Sequence, residues 1–315
     1  MGRIGGGPRN ETEANVRALA VDTEAPGRLR LAEAPEPEVG AHQVLVAVQH
    51  IALNYGDLNG ARNRPAGFVP GWDASGVVAR AAASGEGPPA GARVVTTMGS
   101  QGGWAERRAV DVDELAVVPA DIDLAEAATL PVAGVTALRA LQRSGPLLGR
   151  RVLVTGASGG VGRFAVQLAA LGGAHVIASV GSSARGEGLR TLGADEVVIG
   201  LESVTAPLHV VLDNVGGPQL VSIWRLLGEG GVIQCIGTTS QQEASFPSLV
   251  GMRRSIEAFT KGPRSGADIA YLMQLMQAGR LRVDVGWRGS WSRIAEAADA
   301  LLGRRVAGKA VLDVD

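Results

Sequence analysis

The spacing of hydrophobic positions changes along this chain. In its first third they fall in short runs, 44–52, 74–80 and 93–97, separated by Gly- and Pro-rich turns such as 85–89, and this pattern predicts a region built of β-strands. At Asp123 the pattern becomes helical: Asp123 can cap a helix with Glu126 at its third position, and 125–141 is rich in Ala and Leu with one break at Pro131. From Arg151 onward, apolar strands at 151–155, 174–180, 196–199, 209–213, 231–236 and 255–260 alternate with helical stretches, among them 185–192 and 218–227. Such alternation predicts parallel strands joined by right-handed crossovers, an α/β doubly wound sheet. Beyond Lys261 follow a helix over 267–278, the segment 281–285, a terminal helix over 291–302 and a last strand over 309–314. That strand lies too far past the sixth parallel strand to be needed there, so the carboxyl-terminal segment is expected to return and complete the first region.

The junction of the first parallel strand with its helix carries a glycine pattern, Gly156-x-x-Gly159-x-x-Gly162, after the branched run 151–155. Glycines at this spacing let the chain turn tightly, bring its backbone close to a pyrophosphate and pack the helix on the strand. The amides and positive dipole end of a helix opened by Gly160, Val161 and Gly162 would then face phosphates. A dinucleotide site is the reading, with Gly156, Ser158, Gly159, Gly160, Val161 and Gly162 as its phosphate loop; a merely structural glycine turn is the alternative.

At 315 residues the chain has room for two domains. Lys+Arg 30 against Asp+Glu 31 leaves no basic surface for nucleic acid, so a small-molecule partner is expected. The one cysteine, Cys235, excludes an internal disulfide and a cysteine-rich zinc site, and its strand-like surroundings read as a core thiol. The histidines, at 42, 50, 175 and 209, show no metal-like clustering. No apolar run approaches the roughly 20 residues that span a bilayer, and the Gly-rich polar start reads as a disordered lead-in over 1–14, so a soluble cytoplasmic protein is expected.

The segments Leu53-Asn54-Tyr55-Gly56-Asp57, Pro70-Gly71-Trp72-Asp73-Ala74-Ser75-Gly76, Gly103-Trp104-Ala105-Glu106, 127–137, the glycine turn, Leu212-Asp213-Asn214-Val215-Gly216-Gly217 and Gly308-Lys309-Ala310-Val311-Leu312 occur in an order that resembles the medium-chain dehydrogenase/reductase superfamily, in its zinc-free branch of quinone oxidoreductases and enoyl reductases. The resemblance implies a Rossmann sheet over 128–261 and a GroES-like β domain from 15–127 and 262–315, with NADPH-dependent hydride transfer and often a homodimer, joined at the sheet edge 255–260. Zinc-containing relatives place cysteines near 54–57 and in a further lobe; this chain has neither, so no metal is expected, and Asp73, where many relatives carry Glu, reads as a structural carboxylate bonded to nearby amides.

NAD-selecting enzymes offer a carboxylate at the end of the second strand, about 20 residues past the glycines. Here Val180 holds that place, followed by Gly181, Ser182, Ser183, Ala184 and Arg185. Hydroxyls and a guanidinium suit a 2′-phosphate, which predicts NADPH, against the alternative of a polar loop. Without a metal, an alkene conjugated to a carbonyl is a better hydride acceptor than a simple carbonyl. The expected reaction is reduction of an enone, enal, enoyl thioester or quinone; one-electron quinone reduction and an NADPH-binding sensor or structural protein without turnover are the alternatives.

Tyr55 lies in a segment that looks like the one supplying a tyrosine proton donor in polyketide-type enoyl reductases, with a packed loop aromatic as the alternative. Asn54 can donate to the nicotinamide carboxamide or ribose, serve the turn, or do both, and Thr136 resembles the family residue near the nicotinamide or is a plain helix-face Thr. Asn214, Gly237 and Thr238 follow strands at the edge where cofactor sites form. Lys309 aligns with a family lysine near the cofactor phosphates, or is a solvated ammonium. Trp72 and Trp104 fall in segments that border the substrate cleft in relatives, or are packing residues.

Overall fold

The computed structural model describes residues 15–97, 102–246 and 253–315. The expected lead-in over 1–14 lies outside them. An antiparallel pair, β1 (Asn15–Val21) and β2 (Leu29–Pro35), begins the described chain. A seven-stranded sheet is built around β3 (Gln43–Leu53), which is followed by the short helix α1 (Tyr55–Ala61). To one side of β3 lie β4 (Asp73–Arg80), β5 (Arg93–Thr96) and β7 (Leu115–Val117), while β6 (Arg107–Asp111) pairs with the other half of β3. The carboxyl-terminal strands return to this sheet: β14 (Val285–Ser290) runs parallel to β15 (Lys309–Asp313), which pairs antiparallel with β3 through Ala310↔Leu53.

The second sheet is wholly parallel and contains β8 (Arg151–Thr155), β9 (His175–Val180), β10 (Glu196–Ile199), β11 (Leu208–Asp213), β12 (Leu227–Cys235) and β13 (Ser255–Ala258). Its order, β10-β9-β8-β11-β12-β13, reverses direction between β8 and β11. A crevice for a ligand opens outside the carboxyl ends of the strands at such a reversal. Three further helices flank it: α3 (Val135–Arg143), α4 (Gly160–Leu171) and α5 (Gln219–Leu226).

Two helical expectations differ from the structure. The stretch 125–141 is broken into α2 (Leu124–Ala127), a wider turn over Leu130–Gly134 and α3. Asp123 caps α2 as expected, its Oδ1 accepting from the amides of Ala125 (2.6 Å) and Glu126 (3.2 Å). Pro131 donates no amide, and Gly134 is pressed by Leu272, whose Cδ1 would lie 2.9 Å from an added Cβ. Over 185–192 there is no α-helix, only a tight turn at Ser183–Gly186 and irregular backbone. Gly188, at φ +75°, adopts a conformation that interrupts a right-handed helix.

The helix α6 (Gly266–Gln277) buries Ile269, Leu272 and Met273 in the core that also holds α3, α4 and the inner face of the parallel sheet. Val95 and Ala116 join that core, so the two sheets meet through shared apolar packing. The mixed sheet has its own core, closed by α7 (Ile294–Leu302) and by Trp104 and Trp291. Of the two roles the sequence left open for Trp104, the structure shows packing and not a place on an open cleft. Its side chain is fully buried against Gly71, and its backbone carbonyl accepts from the amide of Leu19 (2.8 Å). Among the described residues, no helix is long and apolar enough to cross a membrane. Because Trp104 fills the centre of this core, Trp104→Ala is expected to cost about 3–5 kcal/mol in urea denaturation; a loss under about 1 kcal/mol contradicts the packing role.

Candidate active site

The glycine pattern forms the turn expected of it. Gly156 leaves β8 at φ +58°, and Gly159 stands extended before α4 with no side chain to cap it. The amides of the first helical turn therefore lack a side-chain acceptor and face outward with the dipole, which suits an anion. Gly162 is required for space: an added Cβ would lie 2.6 Å from the Cα of Ala157. The turn is also braced from the other domain. The amide of Gly308 donates to the carbonyl of Ser158 (2.9 Å), and Gly160 faces the methylenes of Lys309, whose Cδ would lie 2.8 Å from an added Cβ.

Asp213 and Thr155 fix the crevice between β8 and β11. The Thr155 hydroxyl donates to Asp213 Oδ1 (2.6 Å), and the Gly216 amide donates to Asp213 Oδ2 (2.7 Å). Asn214 donates its side-chain amide to the Thr155 carbonyl (2.8 Å), and a Cβ on Gly237 would lie 2.9 Å from the Asn214 carbonyl oxygen. Asn214, Gly237 and Thr238 thus shape the crevice floor, with the Asn214 amide engaged inside the protein. Ser182 and Ser183 are exposed past the end of β9, and the Arg185 guanidinium lies beside Gly181. Nearby, a cavity of about 450 Å³ is walled by Val180, Ser183 and Ile199. Val180 occupies the strand end where NAD enzymes place a carboxylate. The backbone amides and the exposed hydroxyls fit a phosphorylated dinucleotide.

Where β3 runs into α1, a buried polar cluster forms that the sequence did not reveal. Lys309 is 3 % exposed, and its ammonium donates to the Leu53 carbonyl (2.8 Å) and to Asn54 Oδ1 (2.6 Å). It lies 3.6 Å from Asp73 Oδ2. Asn54 in turn donates through Nδ2 to Asp57 Oδ2 (3.0 Å) and to Asp73 Oδ2 (2.9 Å). Arg108, also buried, donates to the Trp72 carbonyl (3.1 Å) and acts through space on both carboxylates. Two carboxyl groups and two basic side chains thus lie out of water in one cluster, with Lys309 and Asp73 as its close pair, an arrangement whose desolvation cost only such pairing offsets.

Two expectations change accordingly. Both hydrogens of the Asn54 side-chain amide are donated inside the cluster, so neither is left to donate to a nicotinamide carboxamide. Lys309 is neither solvated nor free to bind phosphate; its methylenes, not its charge, face the glycine turn. Asp73 accepts from an amide as expected and also faces Lys309. Burial pushes the Asp73 carboxyl up and the Lys309 ammonium down from their ordinary values, and each charge opposes the other's shift.

Tyr55 opens α1, half-buried, with its phenol oxygen accepting from Gln241 Nε2 (3.0 Å). The Trp72 ring lies over Gly56, the residue after Tyr55, 3.2 Å from where its Cβ would be. Thr136 is buried in the first turn of α3. Gln241, Asp57 and Arg108 were not singled out from the sequence. Asp57 follows Asn54 at the spacing of a helix-capping pair, its carboxylate accepting from the Asn54 amide (3.1 Å). Arg108 had only strand alternation to mark it. The four histidines pair separately, with Glu86, Asp313, Glu196 and the Arg151 amide. The Cys235 thiol ends β12, with burial and then Asp213 pushing it up to about 11.

The match to family models falls on both sheets: residues 40–120 match the alcohol dehydrogenase GroES-like domain, and residues 192–312 match the zinc-binding dehydrogenase model. A quinone oxidoreductase of Triphysaria versicolor, described as chloroplastic, is 30% identical over 95% of this chain and 98% of its own length. The chain belongs to the medium-chain dehydrogenase/reductase superfamily, in its quinone oxidoreductase branch. A chloroplastic NADPH-dependent alkenal/one oxidoreductase of Arabidopsis thaliana is 29% identical over 88% of the chain and 73% of its own. Among solved structures, the quinone oxidoreductase of Coxiella burnetii superimposes with a TM-score of 0.82 at 26% identity, covering 96% of this chain and all, 100%, of that one. The Escherichia coli quinone oxidoreductase complexed with NADPH shares the fold, with a TM-score of 0.85 at 21% identity over 95% of this chain and 100% of its own. The chain is thus an oxidoreductase of the quinone oxidoreductase type. The zinc that one family model's description implies does not suit the donors here: an ammonium already stands among Asn54, Asp73 and the Leu53 carbonyl.

Burial, and then the charge of Asp73, pushes the Asp57 carboxyl up to about 7. The folded chain thus keeps a proton there that the unfolded chain releases near its ordinary value of about 4. The resulting stability is present below about pH 4 and is lost as pH rises through about 7. Asp57→Asn removes this titration, so in urea denaturation the variant is expected to gain on the parent between about pH 5 and about pH 8. A difference that stays constant over that range contradicts the raised carboxyl.

Proposed function

We propose that this oxidoreductase uses NADPH to reduce the carbon–carbon double bond of an α,β-unsaturated carbonyl compound, or a quinone. The observation that carries the reading is the reach of one side chain. Lys309 touches the dinucleotide turn at Gly160 with its methylenes and the residue before Tyr55 with its ammonium. The glycine turn and the start of α1, where Tyr55 stands, are therefore tied together by one lysine side chain. The amides of Gly160, Val161 and Gly162 would hold the pyrophosphate, and Ser182, Ser183 and Arg185 the 2′-phosphate. Bound NADPH supplies a hydride.

Tyr55 is placed to give a proton to the α-carbon once the acceptor's β-carbon has received hydride and its oxygen carries the enolate charge. Trp72 offers the acceptor an apolar wall beside it. The relatives support an acceptor of this class, since one is named for quinone and another for alkenal and enone reduction. A 2-methylene-furan-3-one reductase of Solanum lycopersicum, 28% identical over 88% of this chain, extends that support to an exocyclic enone. The open edge of β13 offers a strand for joining two copies of the chain, as the homodimer expectation requires.

In steady-state assays, kcat/KM is expected to favour NADPH over NADH, with Arg185→Ala raising KM for NADPH about tenfold and leaving NADH little changed. A preference for NADH overturns the cofactor assignment. Tyr55→Phe is expected to lower kcat for enones about 100-fold; unchanged kcat and unchanged stereochemistry at the α-carbon remove the acid role. Turnover is expected to persist in excess chelator, and its loss there would restore a metal to the mechanism.

A further inference from the structure

Gln241 has an unusual backbone and an unusual reach. It stands at φ +56°, a left-handed conformation that costs a non-glycine residue about 1 kcal/mol or more. Its loop is tied down on several sides. The Ser240 amide donates to the Val215 carbonyl (2.9 Å), the Gln241 amide donates to the Thr238 carbonyl (2.9 Å), and Arg304, from the segment after α7, donates to the Thr239 carbonyl (2.8 Å). Gly217 makes room beneath it, since an added Cβ would lie 2.7 Å from Ser240 Oγ. The strain is therefore held by the packing around the loop. It sends the Gln241 side chain out of the parallel-sheet domain and across to α1, where Nε2 lies 3.0 Å from the Tyr55 oxygen and 3.3 Å from Asn59 Oδ1.

The orientation of the Gln241 amide, Nε2 toward α1, sets the donor and acceptor roles in this contact. An amide nitrogen can only donate, so the phenol oxygen must accept, and the phenol's own hydrogen is left to point elsewhere. Asn59 Oδ1 takes the second amide hydrogen and keeps Nε2 turned toward α1. We infer that Gln241 is a positioning residue for the reduction: by donating to Tyr55 it directs the phenol O–H into the gap, toward the acceptor. This rests on the reading of Tyr55 as proton donor. During the reaction, hydride forms the new C–H bond at the β-carbon, the π electrons move to the enolate, and the Tyr55 proton forms the α C–H bond as the carbonyl is restored. The phenolate left behind gains from the Gln241 hydrogen bond, because donors strengthen toward a charged acceptor, and it is reprotonated from water.

The test compares Gln241→Met, which keeps length and loses the donor, with Gln241→Glu, whose carboxylate would accept the phenol hydrogen and turn it away from the acceptor. Measured on an enone with saturating NADPH at neutral pH, Gln241→Met is expected to lower kcat about tenfold and Gln241→Glu more, with KM for NADPH unchanged. In a Tyr55→Phe background, Gln241→Met is expected to have less than about a twofold effect, because the two residues act as one unit. Thermal unfolding of both Gln241 variants is expected to match the parent, as the side chain is exposed. Equal kcat for Gln241→Met and the parent overturns the inference, as does an undiminished effect in the Tyr55→Phe background. A parent enzyme that turns over enones while these variants behave alike refutes only the role of Gln241; a parent that oxidises no NADPH with any enone or quinone refutes the function itself.

Discussion

Lys309 is where the two sheets of this molecule depend on each other. Its backbone begins β15, the strand that brings the carboxyl terminus back to β3. Its methylenes pack on the first residue of α4, and its ammonium is held by the Leu53 carbonyl and Asn54 Oδ1 at 2.8 and 2.6 Å. An ammonium taken out of water costs several kcal/mol unless its partners are close and complete. Here the partners are the backbone and side chain of the turn that leads into α1, so satisfying the charge fixes that turn. The glycine turn and the start of α1 are held in register by the same side chain.

The remaining site features follow from that register. Asp57 and Asp73 share the Asn54 amide and are balanced by Lys309 and Arg108, which leaves Asn54 with no free hydrogen for a ligand. Its task is to hold Tyr55 at the start of α1. The crevice floor is set in a similar way by Asp213, which takes the Thr155 hydroxyl at 2.6 Å and the Gly216 amide at 2.7 Å. These buried networks position backbone, while the α4 turn amides, the exposed Ser182 and Ser183 hydroxyls and the Tyr55 phenol stay outside them. Such a surface suits hydride delivery, in which the protein's part is orientation and stabilisation of developing charge.

Much of this was legible in the sequence where local geometry dictates residue type. The strand, turn and helix around Gly156–Gly162 are marked because only glycine fits where an added Cβ would lie 2.6 Å from Ala157 Cα. The return of the last strand followed from chain length past the sixth parallel strand. The helix read over 185–192 failed because its apolar spacing outweighed Gly186 and Gly188, whose backbone freedom decided the outcome. Trp104 was ambiguous because an indole serves a core and a cleft equally well; burial beneath Gly71 decided it. The direction of the Lys309 side chain, the inward face of Arg108 and the reach of Gln241 had no sequence signal. Each depends on contacts between segments hundreds or scores of positions apart, and a left-handed glutamine carries no motif.

In the proposed reaction, hydride crosses from a dinucleotide seated on the α4 turn to the β-carbon of an acceptor beside Tyr55. This transfer is tested most directly by turnover of a cyclic enone with NADPH carrying deuterium at the transferring position of the nicotinamide, with the product analysed by NMR. The account predicts one deuterium at the β-carbon and a proton from solvent at the α-carbon. Deuterium found at the carbonyl carbon, or a reduced product carrying none, contradicts it.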